Sequence, residues 1–331
     1  GLIELDPNYR LVFGAGGSID ASTDLEHMVS QIRVLCGEDN AKGFRKYIED
    51  NRTKLDLSKN CLNSPWRGPT DLLSRRAMRV AKVLRPWRSV SSDLSKVFSD
   101  ERMQLAMSFQ TKYLGMSPFQ APSLFTILAY LEYEHGVFHA EGGLGSITQK
   151  MGEIARDLGV DIRLNEPVND FVFEGKKVVG AITENGTYTA DKFVMNVDFA
   201  TGMKGLIPDK LRKKWSNKKI DEKSYSCSTY MLYLGLDKLY DTPHHQIYAA
   251  KDYQKNLKEV TENKVTWDDP SIYVQNACVT DPTMAPEGHS TIYVLVPASS
   301  SHEGIDWEEI KDEYMDVLLA QMENLCFEGI K

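Results

Sequence analysis

The chain has 331 residues, of which 42% are hydrophobic, and carries 39 Lys and Arg against 47 Asp and Glu for a formal net charge of −8. That size suits about two domains with a sizeable core. No run approaches the ~20 apolar residues of a membrane-crossing helix, and the acidic balance argues against a general nucleic-acid binder. Cys36, Cys61, Cys227, Cys278 and Cys326 lie far apart with no CxxC pair, which argues against a zinc or redox motif and fits a reducing compartment. Gly1 is not a start residue and Lys331 is not an obvious end, so both termini read as cuts.

The β-rich run Tyr9 to Phe13, the turn Gly14-Ala15-Gly16-Gly17 and the return at Ser18-Ile19-Asp20 predict a hairpin. These glycines do not make a dinucleotide loop, because the third glycine of GxGxxG would fall on Ile19. From Leu25 to about Arg102 the pattern is helical, with helices around 25–36 and 41–52. Pro65, Gly68 and Pro69 mark a loop, after which Thr70 is placed to cap a helix beginning at Asp71. Leu73, Ala77, Val80, Leu84 and Trp87 form one apolar stripe, with Arg75, Arg79 and Lys82 off it. Pro86 ends this helix near Arg85.

Further helices are expected at Asp100–Leu114 and Ser123–Glu134. A glycine-rich loop from His139 to Ser146 then leads into an amphipathic helix, Ile147–Leu158, stopped by Gly159. Strands are expected at Asp161–Leu164, Val168–Phe173, Lys177–Thr183 and Thr187–Ala190, with turns at Glu174-Gly175 and Asn185-Gly186. Phe193-Val194-Met195 reads as a buried strand ending in Asn196-Val197-Asp198. A second β region covers Cys227–Leu236, Ile272–Val279 and Thr291–Pro297, before a last helix at Ile305–Cys326.

Two basic islands stand out on this acidic chain: seven Lys or Arg with one acid, Asp71, from Arg67 to Arg88, and eight basics from Lys204 to Lys223. The first fits either a helix lying on an anionic bilayer or a solvated helix with its stripe in the core. In the second, Lys213, Lys214 and Trp215 combine charge with an interfacial aromatic. Gly142 and Gly143 allow backbone to approach a bulky ring system or phosphate. A strand ending at Val168 can offer its N–H and C=O to an adenine edge. No metal site is expected. His244-His245 are adjacent, so on a strand they point opposite ways, and a surface loop is the expectation. Asp268-Asp269 before Pro270 reads as a turn.

The order of glycine loop, helix, strand, meander, strand and Asn-x-Asp over Gly142–Asp198 is similar to the middle of amine oxidase-type flavoproteins. Trp87-Arg88-Ser89-Val90, Pro118-Phe119, Glu132-x-Glu134-x-Gly136-Val137, Glu141-Gly142-Gly143 and Cys278-Val279-Thr280-Asp281-Pro282-x-x-Ala285-Pro286-Glu287-Gly288 narrow it. This set resembles bacterial-type phytoene desaturases from about Tyr9 onward. The resemblance implies a mixed α/β flavoprotein fold of the FAD/NAD(P)-binding type, incomplete here. It divides into a hairpin at 1–20 and helices at 106–139 belonging to a substrate domain, a helical subdomain at 21–105, an FAD-domain part at 140–205, and the mixed-sheet substrate domain at 206–331. It implies FAD as cofactor, with Gly142, Gly143, Val168, Asn196 and Asp198 as contacts, His135 or His139 nearby, and hydrogen removal from a carotenoid or other polyene. It further implies a quinone or oxygen as electron acceptor, and a cytoplasmic protein held peripherally at the inner face of the membrane. Asp71 and Arg75 match an acid and an arginine at the reacting end of the family's tunnel. Neither the family's N-terminal dinucleotide fingerprint nor its C-terminal flavin segment occurs in this sequence. Carotenoid oxygenases, ketolases, isomerases and retinol-saturase-like reductases share the fold, and a lipid-binding module without redox activity is the rival from another class.

Overall fold

A computed structural model describes the chain apart from Trp66, Ser224, Ser301, His302, Glu303, Asn324 and Lys331, and apart from the side chains of Asn60, Leu62, Pro69, Leu72, Arg76, Arg79 and Tyr113. In chain order the first strands are β1 (Leu2–Glu4), β2 (Tyr9–Phe13) and β3 (Ser18–Ala21), followed by helices α1 (Leu25–Cys36), α2 (Glu38–Leu62), α3 (Arg75–Leu84), α4 (Val90–Leu94), α5 (Glu101–Ala106) and α6 (Thr126–His135). Next come β4 (Phe138–Ala140), α7 (Leu144–Asp157), β5 (Asp170–Glu174), β6 (Lys177–Thr183), β7 (Gly186–Thr189), α8 (Phe199–Leu206) and α9 (Asn217–Asp221). The chain closes with β8 (Ser228–Leu236), β9 (His245–Ala249), α10 (Tyr253–Thr261), β10 (Ile272–Asn276), β11 (Ser290–Ala298) and α11 (Trp307–Glu323). It falls into two compact units, one made of 1–147 and 226–331, the other of 148–225.

The larger unit is built on a six-stranded sheet in the order β3-β2-β9-β10-β11-β8. The β2–β9 pair is parallel and the other pairs are antiparallel, so the sheet is mixed. Side chains alternate across it with period two. Ile292, Val294 and Val296 of β11 and Val274 of β10 pack with Tyr314, Leu318 and Met322 of α11 in one core. A second core joins Leu11 and Ile19 of the hairpin to Met28, Ile32, Phe44, Tyr47, Phe98 and Tyr133. The N-terminal hairpin predicted from its glycine turn is present.

The predicted helix at Asp71 is displaced. Pro69–Leu73 forms a 3-10 turn, and α3 begins at Arg75 with Ser74 as its cap, the Ser74 hydroxyl accepting from the Ala77 amide at 3.2 Å. Thr70 lies inside that turn, whose cap position is Gly68, and Asp71 accepts from the amides of Arg67 and Gly68 on its own carboxylate. The apolar stripe is shorter than its periodicity promised: Ala77 and Val80 are buried, whereas Leu73 and Trp87 are 77% and 66% exposed. The 3-10 break takes Leu73 off the helix, and Arg85 in the left-handed region ends α3 before Trp87. Arg75 and Lys82 lie on α3; the Arg79 side chain is outside the described residues. Part of the first basic island has an internal cause, since Arg85 and Arg88 both pair at 3.2 Å with buried Asp93.

The 148–225 unit holds an antiparallel meander, β5-β6-β7. Its second turn lies at Asn185-Gly186, where Gly186 has φ +141°. Asp161–Leu164 and Phe193–Met195, both expected as strands, form none. A strand persists only where a neighbour takes its backbone N–H and C=O groups, and among the described residues neither segment has one. Val194 is accordingly 93% exposed.

Candidate functional site

β4 pairs with β1, Ile3 opposite His139, and this carries the chain into the glycine loop with His139 buried. Gly142 and Gly143 have φ of +77° and +80°, a region where L side chains are strained. The loop is pinned from the far end of the sequence. Asp281 Oδ2 accepts from the Gly142 amide at 2.7 Å and lies 3.1 Å from His139 Nε2. Its Oδ1 accepts from the Thr283 hydroxyl at 2.6 Å and the Thr283 amide at 3.0 Å. The Thr283 hydroxyl first, then the Gly142 amide, hold this carboxyl far below the usual carboxylate range.

The loop leaves room for a flat ring such as a flavin. A Cβ on Gly143 would press Met284 Cε at 3.2 Å, whereas one on Gly142 would meet only Ser146 Cβ at 3.7 Å and one on Gly145 nothing within 4 Å. Its inner side is therefore packed and its outer side open to a flat ring.

Behind His139 runs a row of rings. His139 and His244 are 4.8 Å apart between centroids, His244 and His245 4.4 Å, and His245 and Tyr273 5.7 Å. The Tyr273 hydroxyl and His245 Nδ1 are 2.8 Å apart, as are His244 Nδ1 and the Thr280 hydroxyl. Burial, then neighbouring imidazoles, pulls His244 down to about 4 and His245 down to about 3. The expected surface loop is thus corrected. His244 is 4% exposed, and His245 opens β9, an interior strand between β2 and β10.

On the other face of the sheet from α11, alternate residues of adjacent strands, Ile247, Tyr273 and Leu295, line a cavity of about 480 Å³. Its walls are mostly apolar, but Glu132 of α6 and Lys112 also line it, beside Cys227, His245 and several tyrosines. Glu132 Oε2 accepts from Gln110 Nε2 at 2.9 Å, and burial pushes its carboxyl up to about 7. Burial pulls the Lys112 ammonium down to about 8; its Nζ lies 4.7 Å from the Tyr253 ring centroid. A neighbouring cavity of about 630 Å³ is lined by Glu101, Arg102, Lys251, Lys255, Asp268 and Asp269, and its charge suits a hydrocarbon poorly.

The residues singled out from sequence are placed as follows. Gly142 and Gly143 form the pinned loop of the larger unit. Val168, Asn196 and Asp198 lie in the 148–225 unit, Val168 outside any strand and Asn196 exposed. Asp198 caps α8, its Oδ1 accepting from the Thr201 amide at 2.8 Å. Asp71 closes the turn before α3, Arg75 opens α3, and no ion pair joins them. His135 is exposed at the end of α6. Asp281, Glu132, Lys112 and the His244–His245 pair were not picked out as site residues. For Asp281 a signal existed: an Asp followed two residues on by Thr inside a Pro-bounded turn.

Residues 88–324 match the family described as flavin containing amine oxidoreductase. The chain is 36% identical over 325 residues to 4,4'-diapophytoene desaturase (4,4'-diapolycopene-forming) of Methylomonas sp, covering 97% of this chain and 63% of that protein. It is 30% identical over 334 residues to 4,4'-diapolycopen-4-al dehydrogenase of Metabacillus indicus, covering 100% of this chain and 66% of that one. The chain thus spans under two thirds of the length of these curated relatives. In fold it is similar to an oxidoreductase from Methanosarcina mazei, with a TM-score of 0.61 at 12% identity over 99% of this chain and 67% of that one. The mixed α/β fold, the glycine loop and these likenesses agree, and the chain belongs to the flavin containing amine oxidoreductase family, on its phytoene desaturase-type side.

Proposed function

We propose that the protein is an FAD-dependent desaturase that introduces conjugated double bonds into a carotenoid-type polyene. The observation that carries this reading is the apolar cavity on the six-stranded sheet, in the same unit as the pinned glycine loop. Gly142 and Gly143 would contact FAD, which when bound supplies the hydride acceptor. The cavity keeps water from the hydrocarbon. Removing a hydride and a proton from neighbouring carbons leaves one new C=C bond, and the proton needs an acceptor inside an apolar wall. Glu132 is suited to that task, because a carboxyl near 7 is partly ionised at neutral pH and returns its proton readily. Asp71 and Arg75 enter this reading through the resemblance alone, since neither is among the residues that line the cavity.

The same proposal places the protein peripherally on the inner face of a membrane, with a quinone or oxygen as electron acceptor. Exposed Met78 with Arg75 and Lys82 on α3, and exposed Leu73 in the turn before it, give this segment an apolar-plus-basic surface that favours an anionic bilayer. Among the described residues no helix is long and apolar enough to cross one. The decisive experiment is incubation of the flavin-loaded protein with phytoene or diapophytoene in vesicles, with products read by absorbance and mass. Products two mass units lighter per step, with red-shifted absorbance, are expected. Oxygenated products would favour the oxygenase reading, and no conversion with any acceptor would favour a binding module.

A further inference from the structure

The cavity carries more polarity than a hydrocarbon requires. Lys112 lines it with no carboxylate ion-pair partner among the described residues; the neutral Cys227 thiol lies on the same wall. The Tyr253 hydroxyl is buried without a hydrogen-bond partner, and the Tyr253 ring lies 4.7 Å from the Lys112 ammonium. A buried donor left unmade is expensive, and the half-buried Lys112 ammonium without an ion-pair partner adds a desolvation cost of its own. A hydrocarbon would relieve neither. We propose that this cavity binds a polyene with an oxidised, anionic end, a long-chain carboxylate, with Lys112 as counter-ion and Tyr253 as hydrogen-bond donor. One ammonium balances the single charge of a carboxylate, not the several charges of a diphosphate. The inference rests on the polyene reading above and narrows it to chains oxidised at one end.

Other titratable groups on the cavity wall are compatible. Burial raises the Cys227 thiol and the Tyr248 and Tyr273 phenols, so these stay neutral. His245 is held neutral by its low value, and Glu132 is bonded to Gln110 and protonated below about 7. Among the described residues Lys112 is then the one cation on this wall near neutral pH, and it fades as the pH rises past about 8 in the empty cavity.

The test uses the purified, flavin-loaded protein with cis-parinaric acid, a fluorescent polyene carboxylate, against its methyl ester. The acid should bind at least tenfold tighter than the ester at pH 7, with the preference declining above pH 8. Lys112→Met should erase the preference while leaving ester binding unchanged, Lys112→Arg should keep it, and Tyr253→Phe should reduce it several-fold. Equal binding of acid and ester by the unaltered protein would overturn the proposal. If Lys112→Met loses the ester as well, Lys112→Arg decides: a retained preference supports the proposal and a lost one overturns it. Failure of the polyene reading looks different, for then neither probe is displaced by a hydrocarbon polyene and no desaturation occurs.

Discussion

The Gly142 amide donates to the Asp281 carboxylate over 2.7 Å, a bond that joins residues 139 apart in sequence. Two motif runs that read separately along the chain are therefore halves of one structure: the glycines supply a backbone only they adopt easily, and Asp281 fixes it there. His139, on the same carboxylate, ties the loop to the row of rings that ends at the cavity wall.

Asp281→Asn keeps the size but loses the charge and one acceptor. FAD affinity should fall at least tenfold, about 1.4 kcal/mol or more, with secondary structure unchanged. Flavin fluorescence titration beside far-UV circular dichroism measures both. Unaltered affinity would separate the loop from the cofactor.

Glu132→Gln should make the protein more stable and less active. The folded carboxyl, near 7, lies above the ordinary range near 4.5. The folded state therefore holds a proton that the unfolded chain releases, so the Glu132 contribution to stability is whole below about 4.5 and is lost as pH rises through 7. At pH 8 the neutral amide should recover about 1–2 kcal/mol, seen as a higher urea midpoint. Turnover should fall by roughly 10²-fold if Glu132 takes the proton.

The histidine pair sets an opposite slope. His244 and His245 titrate near 4 and 3 when folded, against the usual 6.5. The unfolded chain takes up protons first, so their contribution is whole above 6.5 and is lost as pH falls through 4 toward 3. Urea midpoints should decline over that window with a slope of roughly two protons. The double variant His244→Asn, His245→Asn should start lower at pH 7 and decline less.

Reversing charge on α3, with Arg75→Glu and Lys82→Glu together, should weaken binding to anionic vesicles at least tenfold, given about 1 kcal/mol per charge near the surface. Thermal stability should shift little, since exposed changes usually stay within about 0.5 kcal/mol. Sedimentation with vesicles at two salt concentrations reads the effect, and full retention would remove α3 from the membrane reading.

What could be read from the sequence followed the range of each interaction. The hairpin at Asn185-Gly186 and the N-terminal hairpin are encoded within a few residues, and both are present. β9 went unseen because its neighbours are β2, far upstream, and β10, across the α10 segment. Without that sandwich, His244-His245 has the look of a polar loop. The cavity was illegible for the same reason, since Ile247, Tyr273 and Leu295 share a face only once three strands are in register. The segments at 161–164 and 193–195 show the converse, with β-prone composition and no ladder to join.

Leu144, Met151, Ile154 and Leu158, spaced at helical intervals along α7 and just beyond it, all stand exposed, and Leu164, Val194 and Val197 do so in the stretches between elements. Many large apolar side chains exposed to water favour association between molecules. The exposed apolar residues between 144 and 197 thus oppose the repulsion that the net charge of −8 supplies. Concentrated solutions should grow larger particles with time, and light scattering should rise with salt, which screens the charge repulsion that holds molecules apart while leaving the apolar attraction in place.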